Sequence, residues 1–137
     1  MSTRNRTTNS RGVPVTPFEL IGGEPAVRRI VDRFYDLMDG DPAAAPLRAM
    51  HAADLGPMRE RLGDFMIGWL GGPNLYFRRP DARCMGQAHA PFAIDASIRG
   101  QWLSCMHRAL DAEDVDAQMQ MLIRAALDRM TEGMVNH

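Results

Sequence analysis

The sequence predicts an all-α chain, and three observations carry that expectation. Apolar residues return at three- and four-residue steps over long stretches, the spacing that buries one face of a helix. Alternation of apolar and polar residues never persists and β-branched residues are few, so no strand pattern competes. Gly22-Gly23, Gly40-Asp41-Pro42 and Gly71-Gly72-Pro73 act as stops between the periodic stretches.

Residues 1–15 are Ser, Thr, Asn, Arg and Gly with almost nothing to bury, and are expected to form a disordered polar tail. Residues 16–137 then make one domain. Thr16-Pro17 opens a short helix, because threonine can cap it and proline is tolerated at its first position. Phe18, Leu20 and Ile21 give that helix something to pack. From Glu24 onward Val27, Ile30, Val31, Phe34 and Met38 define the buried face of a long helix, with Asp36 and Asp39 off the stripe. Residues 43–49 can form another short helix.

Asp54 is the expected cap of a helix that carries Leu55, Met58, Leu62, Phe65, Met66 and Trp69. Residues 73–88 are weakly periodic and should hold short helical turns among loops. Asp95 caps the next helix, whose apolar face is Ile98, Trp102, Cys105, Met106 and Ala109, extended by Leu103 and Leu110. The polar run 111–115 should contain a turn. A last helix presents Met119, Leu122, Ile123, Ala126, Leu127 and Met130. Four main helices and several short ones result.

The 137 residues suffice for one domain with a real core. A net charge of -1, with arginines scattered among acids, excludes a strong field for nucleic acid. No apolar run approaches membrane-spanning length, and no signal peptide is visible, so a soluble cytoplasmic protein is expected. Cys84 and Cys105 form neither a disulfide scaffold nor a CxxC site and should be reduced thiols. Eleven methionines are unusual, and such pliable side chains pack around irregular objects: a cofactor, a partner groove or a loose core.

Phosphate-loop, dinucleotide, zincin and nucleophile-elbow motifs are absent. Gly71-Gly72 follows a helix rather than a strand and reads as a helix stop. His51, His89, His107 and His137 are too dispersed for a legible zinc site. His89 is the most informative of them, since it stands beside the turn signal Ala90-Pro91-Phe92. A flat apolar cofactor held by one nitrogen ligand would use this imidazole and the stripe tryptophan Trp102 together. A loop histidine bonded to its own backbone satisfies the same spacing.

Phe34-Tyr35, Trp69-Leu70-Gly71-Gly72-Pro73, His89-Ala90-Pro91-Phe92 and Gln101-Trp102-Leu103-x-Cys105-Met106 stand in an order and at spacings that resemble the truncated haemoglobins, specifically their second group. The resemblance covers residues 17–135. It implies a two-over-two helical sandwich around haem b, with a first helix reduced to a stub. It makes His89 the proximal iron ligand, and Tyr35 and Trp102 distal hydrogen-bond donors to a bound diatomic ligand. Donors in a dry pocket hold developing negative charge well. His51 falls where the group varies among tyrosine, phenylalanine and histidine, which implies a third distal polar group.

By the same resemblance Met58 replaces the distal histidine of ordinary haemoglobins, Leu62 caps the iron, and Phe65, Met66 and Phe92 are walls. Relatives carry arginines shortly before the proximal histidine, but Gly86, Gln87 and Ala88 stand there. Arg83, Arg79, Arg78 and Tyr76 are the substitutes expected at the haem propionates. No CxxCH is present, so the haem should be non-covalent. The implied ligands are dioxygen, carbon monoxide and nitric oxide, as a monomer or homodimer without nucleic acid or membrane. The implied work ranges from oxygen binding or transport to peroxide reduction or nitric oxide oxidation with an external reductase. Two other classes remain: a colourless interaction module with a methionine-rich groove, and a haem-based sensor.

Overall fold

The computed structural model describes residues 15–137. The tail expected over 1–15 falls, Val15 apart, outside the described residues. Helix α1 (Pro17–Leu20) is a single turn capped by Thr16, whose Oγ1 accepts from the Glu19 N–H at 3.2 Å. It is followed by α2 (Gly23–Gly40), a 3-10 turn at Pro42–Ala44, and α3 (Ala45–Ala49). Then come α4 (Gly56–Trp69), a 3-10 turn at Tyr76–Arg78, α5 (Met85–His89), α6 (Ala96–Ala112) and α7 (Ala117–Glu132). The described residues contain no strand, as the sequence pattern predicts.

The α2 stripe is the centre of the core. Val27, Ile30, Val31, Phe34 and Met38 are buried as expected, and Tyr35 joins them. Helix α2 packs on α4 on one side and α6 on the other, and α6 packs on α7. Two helix pairs thus stack in a two-over-two sandwich. Phe18 N–H donates to the Leu70 carbonyl at 2.9 Å, tying α1 to the end of α4. Gly71 permits this closure, because its φ is +104° and an added Cβ would sit 2.7 Å from Thr16.

Three expectations need correction. Leu20 is exposed, since a one-turn helix directs only Phe18 and Ile21 toward the core. Helix α4 begins at Gly56 with Leu55 at its cap; the Asp54 carboxylate accepts instead from the Gly56 N–H at 2.9 Å, at the helix's entry. Leu122 is 64% exposed, because α7 buries only the narrow row Ile123, Leu127 and Thr131. Asp95 does cap α6, accepting from Ile98 N–H at 2.9 Å. The expected turn between α6 and α7 contains Asp114 at φ 55°, a left-handed conformation that aspartate tolerates.

Candidate functional site

A cavity of about 380 Å³ lies among α2, α3, α4, α5, α6 and α7. His89 enters it from the end of α5. Its Nδ1 lies 2.7 Å from the Met85 carbonyl. A carbonyl can only accept, so Nδ1 donates, and in the neutral ring Nε2 keeps a lone pair with no described partner. This is the tautomer a metal-ligating histidine requires, with its other nitrogen oriented by a backbone acceptor.

His51 shows the same arrangement from the end of α3, with Nδ1 2.9 Å from the Leu47 carbonyl. In the neutral ring its Nε2 is therefore an acceptor. Burial pushes the His51 imidazole below its ordinary range; the Leu47 bond opposes this, while Arg48 and His89 add to it. Both imidazoles line the one cavity.

Tyr35 is only 2% exposed and its hydroxyl makes no hydrogen bond to the described residues. Burial pushes that phenol well above its ordinary range, partly offset by the Arg59 guanidinium 5.8 Å from the ring centre. The hydroxyl consequently stays protonated and able to donate. Trp102 packs its ring 5.1 Å from Phe34, and its indole N–H is likewise without a described partner. Met58, Leu62, Phe65 and Met66 line the cavity from α4, and Phe92 and Tyr76 from the loops. Six of the eleven methionines line it: Met50, Met58, Met66, Met85, Met130 and Met134.

His89 and His51 each present an uncommitted Nε2, and with two uncommitted donors and mostly apolar walls they suit a flat apolar cofactor held by an imidazole. The described residues contain no cluster of three His, Cys, Asp or Glu that would hold a bare ion. The profile of the bacterial-like globins matches residues 16–136. A group II 2-on-2 haemoglobin from Agrobacterium tumefaciens superposes with a TM-score of 0.85 at 37% identity, over 89% of this chain and 95% of its own. A cold-adapted truncated haemoglobin from the Antarctic bacterium Pseudoalteromonas haloplanktis gives 0.86 at 35% identity, over 90% and 99%. The truncated oxygen-avid haemoglobin from Bacillus subtilis gives 0.80 at 29% identity, over 89% and 100%.

The chain belongs to the group II truncated haemoglobins.

As a globin, this truncated haemoglobin has a pocket for haem and a small diatomic ligand. Cys84 and Cys105 are both free thiols, the first exposed and the second buried. Among the described residues no helix is long and apolar enough to cross a membrane.

The expected arginines are not at the pocket of this truncated haemoglobin. Arg79 lies 2.6 Å from Asp64, which also binds Arg28 at 2.7 Å. That double pairing draws Arg79 out of the cavity wall. Arg83 and Arg78 are exposed and absent from the lining. Tyr76 does reach the cavity, but its hydroxyl donates to the Arg83 carbonyl at 3.0 Å and holds the loop together. The cations that do line the cavity are Arg61 and Arg99. Arg99 is committed to Thr131 and Asp128, whereas among the described residues Arg61 has one partner, the exposed Asp81 at 2.8 Å. Their positions carried a signal: Arg61 lies one turn after Met58, and Arg99 three residues before Trp102. The wall of Met130 and Thr131 on α7 and of Met134 just beyond it carried none, because it closes the pocket from far along the chain.

Proposed function

We propose that this protein holds haem b non-covalently through His89 and retains dioxygen or another diatomic ligand through Tyr35 and Trp102. The observation that carries the reading is that His89, with its Nδ1 held by a backbone carbonyl, lines one mostly apolar cavity together with two donors that have no described partner. When bound, haem supplies an iron centre that takes small ligands and changes oxidation state. The chain supplies the rest. The Met85 carbonyl orients His89 and keeps its proton on Nδ1. Tyr35 and Trp102 direct O–H and N–H dipoles into a space where methionines, leucine and phenylalanine exclude water.

His51 takes a different part from the third donor implied by resemblance. Neutral, it offers Nε2 as an acceptor to the Tyr35 hydroxyl or to water, and it donates there only once protonated. Arg61 serves the acidic edge of the haem in place of Arg79 and Arg83, since its pair with Asp81 is exposed and exchangeable.

Two donors in a dry pocket favour slow ligand release, which suits peroxide reduction or nitric oxide oxidation with an external reductase better than delivery. The oxygen-avid relative from Bacillus subtilis supports tight retention. Absorption spectra of the purified protein, ferric, ferrous and with carbon monoxide, test the reading. A Soret band that shifts with each state is expected, and the haem should extract into acidified butanone. A protein that stays colourless after haemin is added overturns it and leaves the interaction module.

A further inference from the structure

The residues after α7 run back across the loop that follows His89, and Asn136 makes the crossing. Its backbone N–H donates to the Ile94 carbonyl at 2.8 Å. Its side-chain Oδ1 accepts from the Ile94 N–H at 2.8 Å, and its Nδ2 donates to the Phe92 carbonyl at 2.9 Å. The His137 N–H adds a second bond to the Ile94 carbonyl at 3.1 Å. Phe92 in turn donates its N–H to the His89 carbonyl at 3.0 Å. A hydrogen-bonded path therefore joins Asn136 to His89 through one residue.

The site needs such a restraint. Helix α5 has five residues, far below the length at which a helix holds itself. Its front end is capped by the Cys84 thiol, which accepts from the Gln87 N–H at 3.4 Å and is a weak acceptor. Its back end is held by the loop that Asn136 grips. That loop is also part of the cavity, since Phe92, Ile94 and, from the far side, Met134 all line it. Ile94 is 8% exposed, so losing the bond to its N–H would strand a polar group away from water. The amide of asparagine suits the place because it accepts and donates at once.

We propose that Asn136 is a positioning residue for His89, fixing the height and tilt of the imidazole through Phe92. The proposal rests on His89 being the haem ligand. In the holoprotein, Asn136→Ala removes the side-chain bonds to Phe92 and Ile94, together with that from the exposed His137 ring at 2.7 Å, and Asn136→Asp removes only the donor to Phe92 while keeping the acceptor for Ile94 and His137. The neighbouring Val135→Ala is the control.

Resonance Raman of the ferrous protein reads the iron–histidine stretch, and haem transfer to apomyoglobin reads retention. Both Asn136 variants should shift or broaden the stretch, and Asn136→Ala should lose haem about tenfold faster, the loss of roughly two hydrogen bonds. Should Asn136→Ala fail to fold, Asn136→Asp alone decides through its Raman band. A parent-like band in Asn136→Asp overturns the proposal even where haem leaves faster, since the residue would then be a tether and not a positioner. Absence of an iron–histidine band in the parent instead overturns the assignment of His89.

Discussion

Tyr35 and His51 meet edge to face, with ring centres 6.0 Å apart at 75°. The buried phenol keeps its proton and the neutral imidazole directs a lone pair toward the cavity, so the two are complementary and not competing donors. Trp102 approaches from α6 behind Phe34, whose ring contacts both aromatic partners at 4.9 and 5.1 Å. Groups packed around one ligand are coupled.

The first prediction follows from that coupling. Tyr35→Phe and Trp102→Phe, singly and together, should accelerate dioxygen release measured by stopped flow. Each lost donor should cost about 1–3 kcal/mol, roughly tenfold or more in rate. The double variant should fall short of the product of the singles. Parent-like release from both single variants would remove the distal network from the reading.

The second concerns acid. Burial holds the His51 imidazole below its ordinary value, so on acidification the unfolded chain takes this proton first. Stability therefore falls as pH drops through about 6.5 and continues to fall until the folded imidazole also titrates. His107 is lowered too, by burial and then by Arg124, and acts in the same direction. Thermal melts from pH 7.5 to 4.5 should lose less in His51→Gln and in His107→Gln than in the parent. Only His51→Gln should also remove an acid transition from the ferric spectrum. If both variants keep that transition, His51 has no part in it.

Much of this was legible in the chain, for physical reasons that differ by residue. The α2 stripe from Val27 to Met38 reads cleanly because α2 packs on α4 and α6 together and buries a broad face. The α7 face reads less well, since period alone cannot say whether Leu122 or Ile123 leads when only a narrow row is covered. His89, Tyr35, His51 and Trp102 all line the cavity, together with Met58, Leu62, Phe65, Met66, Tyr76 and Phe92. Arg79 was illegible because a long guanidinium goes where its partner is, and Asp64 lies 15 residues earlier on another element. The Asn136 crossing spans 44 residues and leaves no periodic trace.

The Asp64 pairing yields the third prediction. Burial would raise this carboxyl, but bonds from Arg28 and then Arg79 outweigh it and hold the group below the usual carboxylate range. At 13% exposure the side chain has little access to solvent. Asp64→Asn should destabilise the fold by about 2–4 kcal/mol in urea melts at pH 7, since two guanidinium groups lose a charged partner. The difference from the parent should shrink below about pH 4, because a depressed carboxylate loses its contribution as pH falls through its folded value. A variant as stable as the parent at pH 7 would show that solvent replaces the pairing without cost.

The fourth prediction separates the arginines by where they lie. Arg61 lines the cavity and is half exposed, so its guanidinium can trade Asp81 for the acid edge of the haem. Arg83 lies outside the lining, and Arg79 is committed to Asp64. Arg61→Gln should therefore speed haem transfer to apomyoglobin, by about two- to tenfold for a partly exposed charge pair worth roughly 0.5–1.4 kcal/mol. The acceleration should weaken at high salt, where a screened charge contributes less in the parent as well. Arg83→Gln should match the parent. Asp81→Asn should slow transfer slightly, because it frees Arg61 from its competing partner. If Arg83→Gln accelerates transfer while Arg61→Gln does not, the loop rearranges around haem, and the anchoring role passes from α4 to the segment before His89.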